Sequence, residues 1–193
     1  MAGRPRRVDD AVILRAAVEV IGRVGPARLT LAAVAEEAGV VPGTLVQRFG
    51  SKRGLLLALA DQSVRETATS RRRNGHGSAL AALRAFAVES MAEMATPERY
   101  ANHLAFLCLD LTDPELHERA LAVHRANGEL VEALLSEAAA TGELRPGTDA
   151  KALAGTVQAV LAGAGLNWAL DREGALADRL ARELDAVLSP HVP

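Results

Sequence analysis

The stretch Leu29–Leu57, LTLAAVAEEAGVVPGTLVQRFGSKRGLLL, constrains the fold of this chain more than any other part. Its pattern predicts two short helices separated by a turn at Gly39, where the backbone must be free to take a positive φ. Thr30 is placed to cap the first helix. Pro42 fits the first position of the second, where its missing N–H costs nothing. The stretch therefore favours a helix-turn-helix, whose second helix enters the DNA major groove.

The two sides of the second helix differ in chemistry. Leu45 and Phe49 lie four residues apart and are expected to anchor the helix to the core. The other side carries groups of the kinds that read bases and phosphates. The residues on this second side are Gly43, Thr44, Val46, Gln47 and Arg48. A further helix, capped by Ser51, begins with Lys52 and Arg53, although anions are preferred at that end. This placement favours a nearby phosphate. A helical hairpin that only packs against the core would show the same residue spacing, but it would not account for these two cations.

Composition fits a helical protein with one or two small cores. A chain of 193 residues can bury roughly 70% of its unfolded surface. Nearly half of the residues are hydrophobic, mainly Ala, Leu and Val, and helix-forming Glu and Arg are abundant. The single cysteine, Cys108, excludes an internal disulfide and fits a reducing compartment. The charged start MAGRPRRVDD leads into no long apolar run, so we expect a cytoplasmic protein without a signal peptide or membrane span.

Charge is distributed unevenly along the chain. Residues 1–53 hold nine basic and five acidic side chains, whereas the remainder holds thirteen basic and nineteen acidic ones. A basic N-terminal segment followed by an acidic remainder is the charge distribution that phosphate binding through one end of the protein requires. The basic segment Met1–Arg7 is either an arm that orders beside an anion or a solubilising tail. For Arg71–Arg73, in a loop between two domains, a solvated helix end is favoured over nucleic-acid binding.

The stretch from Thr30 to Leu57 resembles the N-terminal domain of the tetracycline-repressor (TetR) family of transcriptional regulators. The residues that carry this resemblance are Gly39-Val40, Gly43-Thr44-Leu45, Phe49 and Ser51-Lys52, within a similar region from about Val8 to Val64. The resemblance implies an all-α fold and a homodimer on a palindromic double-stranded DNA operator. It also implies release of that operator when a small-molecule effector occupies the C-terminal domain.

Three positions depart from the family pattern. Val41 replaces a usual Ser, so the second helix lacks a side-chain cap. Val46 replaces a Tyr that commonly touches phosphate, and Arg48 replaces a His or Tyr. We expect Arg48 to take over the lost phosphate contact. The predicted DNA-binding residues are Thr30, Val41, Pro42, Gly43, Thr44, Val46, Gln47, Arg48 and Lys52.

The chain divides into a three-helix helix-turn-helix domain at 8–70 and a ligand-binding and dimerisation domain at 79–190. About nine helices are expected, and no segment alternates with period two as a strand would. The first helix should begin at Asp9 or Asp10 and stop at Gly25-Pro26. A helix over 52–70 joins the two domains. We expect effector binding to move this helix and so to transmit the displacement to the DNA-binding helices. Five helices follow, at about 79–95, 97–109, 114–141, 149–170 and 175–188.

The last two helices are predicted to form the dimer contact. The segment 150–170 is apolar on nearly every side, and such a helix must be covered all round. The final helix carries a leucine stripe at Leu176, Leu180, Leu184 and Leu188. We expect both helices to meet their symmetry mates in an isologous four-helix interface, as the corresponding helices do in the family. The alternative is that they are buried within one subunit.

By the same resemblance, the third, fourth and fifth body helices should enclose an effector pocket. The side chains predicted to line it suit a mainly apolar site with a few polar groups. They are Phe86, Met91, Met94, Tyr100, His103, Phe106, Leu107, Asn127 and Trp168. Any one of them could instead be an ordinary core residue. We expect a small lipophilic or aromatic effector.

Other functions find less support in the sequence. An enzyme is not expected, because there is no His-Glu-x-x-His, Cys-x-x-Cys or glycine-rich phosphate loop, and no catalytic residue, metal ligand or cofactor is predicted. His117 and His124 lie two helical turns apart, too far for one ion without a further ligand, so a metal sensor is a minor alternative. A helical regulatory adaptor without effector-controlled DNA binding is the other, since Val41 and Val46 depart from the family pattern.

Overall fold

The computed structural model describes residues 8–70 and 77–193, with only the backbone described for 67–70. The expectations for Met1–Arg7 and for Arg71–Arg73 therefore fall outside the described residues. The described part forms nine α-helices and contains no strand. They are α1 (Asp10–Val24), α2 (Leu31–Glu37), α3 (Pro42–Phe49), α4 (Lys52–Ser70), α5 (Ala79–Glu89), α6 (Pro97–Thr112), α7 (Pro114–Ala140), α8 (Ala150–Asp171) and α9 (Leu176–Leu188).

Local signals in the sequence set the ends of the first three helices. The Asp9 carboxylate accepts a hydrogen bond from the Ala11 N–H, and Gly25 closes α1 at a φ of 78°. The Thr30 hydroxyl caps α2 by accepting from the Ala33 N–H at 3.1 Å. Gly39 takes a φ of 67° between α2 and α3. These features confirm the predicted helix-turn-helix, because α1 and α2 each begin at a side-chain cap, and a glycine at positive φ follows α1 and separates α2 from α3.

The body helices largely match the predicted ones, although α6 extends to Thr112, beyond the predicted end at about 109. The helix that begins at Ala79 ends at Glu89, and the segment up to 95 contains a short 3₁₀ turn at Ala92–Met94. The Ser90 hydroxyl donates to the Ala87 carbonyl. This bond offers the backbone an alternative to continuing the helix.

The last two helices are covered differently from the prediction. In α9, Leu176, Leu180, Leu184 and Leu188 are each at most 4% exposed within their own subunit. The alternative of burial within one subunit therefore holds for this stripe, which is not available to a symmetry mate. In α8, one side joins the body core and the other is exposed, including Leu170 at 75%.

The two halves of the chain share their packing. Phe106 of α6 and Leu116 of α7 both pack into the N-terminal core, whose centre includes Leu45 and Leu55. Ion pairs cross the same junction. Arg53 at the start of α4 pairs with Asp113 and Glu115, each at 3.0 Å. Arg119 of α7 pairs with Asp61 of α4 at 2.6 Å. The helix-turn-helix is thus fastened to α6 and α7.

Candidate DNA interface and effector site

One side of α3 faces solvent while the other is anchored. Leu45 is fully buried in the N-terminal core. Val41 is 70% exposed and Val46 53% exposed, and the neighbouring Pro42, Gly43 and Gln47 are exposed too. Thr44 is half-buried. Val41 stands at the N-cap without a side-chain hydrogen bond, as predicted from the missing Ser. A helix fixed on one side and open on the other has the geometry that groove recognition requires.

Two predicted contacts, Thr30 and Lys52, flank this surface. Both also stabilise the domain. Thr30 is exposed while its hydroxyl caps α2. The Lys52 ammonium donates to the Ala27 carbonyl at 3.1 Å, which ties the loop before α2 to the start of α4. An ammonium has three donors, so this bond leaves Lys52 able to contact a phosphate.

Arg48 is placed differently from the prediction. Its side chain is only 14% exposed. The Nη1 atom donates to the Val8 carbonyl at 2.5 Å and to the Asp10 carboxylate at 2.8 Å. The guanidinium therefore lies against the start of α1 and is not presented on the open side of α3. Helical spacing alone could not show this, because both partners lie about 40 residues away along the chain.

Gly54, which the sequence analysis did not single out, sets the spacing between α3 and α4. A Cβ at this position would lie 2.0 Å from the Phe49 carbonyl oxygen and 3.1 Å from its carbonyl carbon. Both are backbone atoms and cannot rotate away. The close approach holds the end of α3 against the first turn of α4, so the orientation of α3 depends on the absence of a side chain at Gly54.

The predicted effector-lining residues fall into separate groups. Phe86, Met91 and Met94 are half-buried and pack against the body core. Tyr100 and Trp168 lie inside that core, with ring centroids 6.4 Å apart at an interplanar angle of 78°. The edge-to-face geometry is a stable aromatic pairing. The Trp168 indole N–H also donates to the Gly174 carbonyl at 3.0 Å. This pair therefore has the contacts of a structural core.

Two further members of the set do not join these residues. Phe106 packs into the N-terminal core, and Leu107 is 44% exposed on the outer side of α6. The two side chains are separated from the others because α6 turns different sides to the helix-turn-helix, the body and solvent. Asn127 is half-buried on α7.

Two polar groups on α6 are buried without a hydrogen-bond partner among the residues that the structure describes. They are Nε2 of His103, which was predicted, and Oδ1 of Asp110, which was not. The residues lie seven apart and so share a side of the helix with Phe106. Burial, helped by the nearby Arg99 guanidinium, lowers the pKa of His103, while Glu19 opposes the shift. Burial raises the pKa of Asp110 to about 6. An unpaired buried polar atom is costly, so a ligand that bonds to either one gains affinity.

Asp110 should make stability depend on pH. Its pKa in the folded chain, about 6, exceeds its ordinary value of 3.8. The native state therefore holds the extra proton, and this group's contribution to stability rises as the pH falls from above 6 towards 4. Asp110→Asn removes the charged form and should raise the free energy of unfolding by about 1–2 kcal/mol at pH 7.5, discounting for partial exposure. Urea denaturation at pH 7.5 and pH 4.5 measures the gain. An equal gain at both values would contradict this prediction.

Metal ligands do not cluster in the described part of the chain. No group of three or more His, Cys, Asp or Glu side chains there could hold a metal ion. Cys108 is exposed. Neither finding adds support for the metal-sensor alternative.

Two family models match the sequence. The model described as "Bacterial regulatory proteins, tetR family" matches residues 13–59. The model described as "Tetracyclin repressor-like, C-terminal domain" matches residues 108–184. Together the two matches cover more than half of the chain. No curated protein matches the sequence.

Solved structures share the fold over nearly the whole chain. A putative TetR-family transcriptional regulator from Rhodococcus sp. is 25% identical, with a TM-score of 0.69 over 92% of this chain and 96% of that one. SmeT, the repressor of the Stenotrophomonas maltophilia multidrug efflux pump SmeDEF, is 24% identical, with a TM-score of 0.69 over 97% and 92%. A putative transcriptional regulator from Saccharomonospora viridis, in complex with choline, is 18% identical, with a TM-score of 0.74 over 95% and 96%. Since both halves of the chain match the family, the protein belongs to the tetR family and is a DNA-binding regulator of transcription rather than an enzyme.

Proposed function

We propose that this protein represses transcription as a cytoplasmic homodimer, binds a palindromic operator through α3, and releases it when a small effector binds the body. The observation that carries the proposal is α3 itself, anchored by buried Leu45 and open along Val41–Gln47. Thr44 and Gln47 supply hydrogen-bonding groups for base edges. Val41 and Val46 suit apolar contact with thymine methyl groups. Lys52 supplies a phosphate contact.

The proposed dimer forms through the exposed side of α8. Gly155, Ala159 and Ala162 are exposed on this side, followed by Leu166 at 44% and Leu170 at 75% exposure. They recur every three or four residues and so form one continuous stripe. Small residues allow close approach of a second helix, and the leucines supply apolar area. An isologous contact of α8 with its own copy covers the stripe.

A membrane is the other environment that would cover α8. By length and composition, α8 is the one described helix that could cross a bilayer, and 39% of its apolar window is buried inside the protein. The buried side includes Val157, Leu161 and Trp168, which pack with α9 in the body core. Crossing a bilayer would require this core to open. We therefore favour a protein partner, without a membrane.

A charge in the α8 stripe should prevent dimerisation. Ala159→Arg places two guanidinium groups near the two-fold axis, where like charges cost several kcal/mol. We expect dimerisation to weaken at least about 100-fold and operator affinity to fall with it. Sedimentation velocity measures the first and fluorescence anisotropy the second. Ala133→Arg, on an exposed position of α7, is the matched control. Equal dimerisation in the two variants would contradict the interface.

The proposed effector is lipophilic or aromatic, with a hydrogen-bonding group. Phe86, Met91 and Met94 offer half-buried apolar surface beside the body core. His103 and Asp110, on the side of α6 that carries Phe106, offer polar atoms without a partner among the described residues. Solved relatives carry choline and, in a SmeT complex, triclosan. The junction formed by α4, α6 and α7 provides a route for the displacement to α3. The Arg53–Glu115 and Arg119–Asp61 ion pairs join α4 directly to α7.

Selection of bound fragments from random DNA tests the proposal as a whole. We expect a palindrome with half-sites about 34–36 Å apart, and affinity that falls steeply with salt. Gln47→Ala should relax base preference within the half-site, whereas Lys52→Ala should weaken all sequences alike. An unselective fragment pool would overturn the proposal and favour the adaptor, for which Val41 and Val46 would be partner contacts.

Effector control needs a separate measurement. A compound that stabilises the protein in a thermal-shift screen should lower operator affinity, and operator should lower the compound's affinity by the same factor. A saturating compound that leaves operator affinity unchanged would show that it is not an effector.

A further inference from the structure

We propose that Arg48 is a positioning residue, which fixes the last turn of α3 on the start of α1 and thereby sets the direction from which Gln47 meets a base pair. This role rests on the proposed function, because it needs α3 to lie in the major groove. It accounts for a cation that stands on the recognition helix but is turned away from its open side. Arg48 itself contacts neither base nor phosphate and acts through Gln47.

The guanidinium of Arg48 crosses from α3 to α1. Its Nη1 atom donates to the Val8 carbonyl at 2.5 Å and to the Asp10 carboxylate at 2.8 Å. The Arg48 side chain is only 14% exposed, whereas that of Asp10 is 61% exposed. Salt screens the exposed ion pair more than the partly buried bond to the carbonyl. The contact between the two helices therefore persists at the salt concentrations at which DNA binding is measured.

The start of α1 is a rigid point of attachment. The Asp9 carboxylate caps the helix by accepting from the Ala11 N–H. Val8, the residue before the cap, packs against the N-terminal core, and Ile13, at the fourth position of α1, is fully buried in that core. Apolar residues at these two positions form a hydrophobic staple, which fixes the angle at which a chain enters its helix. The carbonyl that accepts from Arg48 is therefore fixed relative to the core.

The two ends of α3 are held unequally. At the N-cap, Val41 is 70% exposed and makes no side-chain hydrogen bond with the described residues. At the other end, the close approach at Gly54 sets the distance to α4, and Arg48 ties the same turn to α1. Leu45 anchors the middle of the helix and is fully buried. The freedom that remains to α3 is a tilt about Leu45, and the Arg48 contact opposes this tilt.

A tilt of α3 would act on base recognition through Gln47. Gln47 is exposed and directly precedes Arg48, which is half-buried. A glutamine reads adenine through two hydrogen bonds that must form together, so the pairing depends on the direction of approach. Phosphate contacts are less demanding and carry no sequence information. Loss of Arg48 should therefore reduce the discrimination between base pairs more than the overall strength of binding.

The test compares the selected operator with a copy in which one base pair is changed in one half-site. The base pair is the one at which Gln47→Ala relaxes the preference. Fluorescence anisotropy at one salt concentration gives the ratio of the two affinities, from which a uniform change in phosphate contacts cancels. We expect Arg48→Ala to lower this ratio about tenfold, roughly the discrimination carried by one base pair. Arg48→Lys should lower it about threefold or less, because one ammonium can donate to both acceptors.

Asp10→Ala separates positioning from a phosphate contact and leaves α3 unaltered. If Arg48 positions α3, losing one of its two acceptors lowers the ratio about twofold to threefold. If Asp10 instead holds Arg48 away from a phosphate, the released guanidinium strengthens binding to both DNAs equally and leaves the ratio unchanged, which would overturn the positioning role. Arg23→Ala removes an exposed cation that pairs with Glu37 at 2.8 Å in the same domain. It is the matched control and should keep the wild-type ratio.

A double-mutant cycle tests whether Arg48 acts through Gln47. In the Gln47→Ala background, Arg48→Ala should change the ratio no further, whereas additive losses would show that Arg48 reads DNA independently. Urea denaturation confirms that each variant is folded during the measurement, and Arg48→Lys and Asp10→Ala keep the test decisive if Arg48→Ala unfolds. If the wild-type chain selects no operator, the proposed function fails and this role fails with it. A selected operator whose ratio is unchanged by Arg48→Ala, or by Gln47→Ala, overturns this role alone.

Discussion

Gly54→Ala should displace the end of α3 and abolish operator binding. The added methyl group would lie 2.0 Å from the Phe49 carbonyl oxygen, so α3 and α4 must separate. Overpacking against fixed atoms costs typically about 1–3 kcal/mol, and contact with backbone places this variant at the upper end. Urea denaturation measures the loss of stability, and fluorescence anisotropy on the selected operator measures the loss of binding.

Gly43→Ala provides the matched comparison for stability. A Cβ at Gly43 meets nothing within 4 Å, and the residue lies in the first turn of α3. Alanine is the better helix former, so this variant should gain up to about 0.5–1 kcal/mol. If Gly54→Ala proved as stable as Gly43→Ala and bound operator normally, the close approach of α3 and α4 would not set the recognition geometry.

Trp168→Ala should produce the largest loss of stability in the body. Trp168 is 3% exposed, stacks edge-to-face with Tyr100 and donates to the Gly174 carbonyl. Removing a buried aromatic side chain of this size costs about 3–5 kcal/mol. We expect a corresponding fall in the urea midpoint without a change in its slope.

A conservative substitution separates the two contributions of the indole. Trp168→Phe keeps an aromatic ring against Tyr100 but removes the N–H, and should cost about 1–2 kcal/mol less than Trp168→Ala. Equal losses for the two variants would show that the ring contact adds little. The operator affinity of either variant, measured where the protein is folded, should change much less than its stability.

The helix-turn-helix could be predicted because its signals are local. Thr30, Gly39 and Pro42 act on backbone groups within a few residues, so their capping and turn roles are visible in the sequence. Leu45 follows the same logic, since helical spacing determines which side of α3 it occupies. The resemblance to the family rests on these same positions, which explains why both the fold and the family could be predicted from the sequence.

Long-range packing could not be predicted in the same way. Arg48 is bound by residues about 40 positions earlier, and Gly54 matters because two helix backbones come within contact distance. Phe106 looked like a pocket residue because α6 belongs to the body in sequence, yet that side of the helix faces α1. Helical periodicity predicts which side of a helix a residue occupies. It does not predict which other element packs against that side.

The shared packing at the junction determines how this regulator can be recombined with its relatives. Leu116 is 3% exposed and belongs, with Phe106, to the core that supports α3. A hybrid that joins the DNA-binding helices of this chain to a foreign effector domain after residue 70 would lose both side chains and the ion pairs of Arg53. Functional hybrids should therefore carry the matching surfaces of α6 and α7 along with the first four helices, even though these segments lie far apart in sequence.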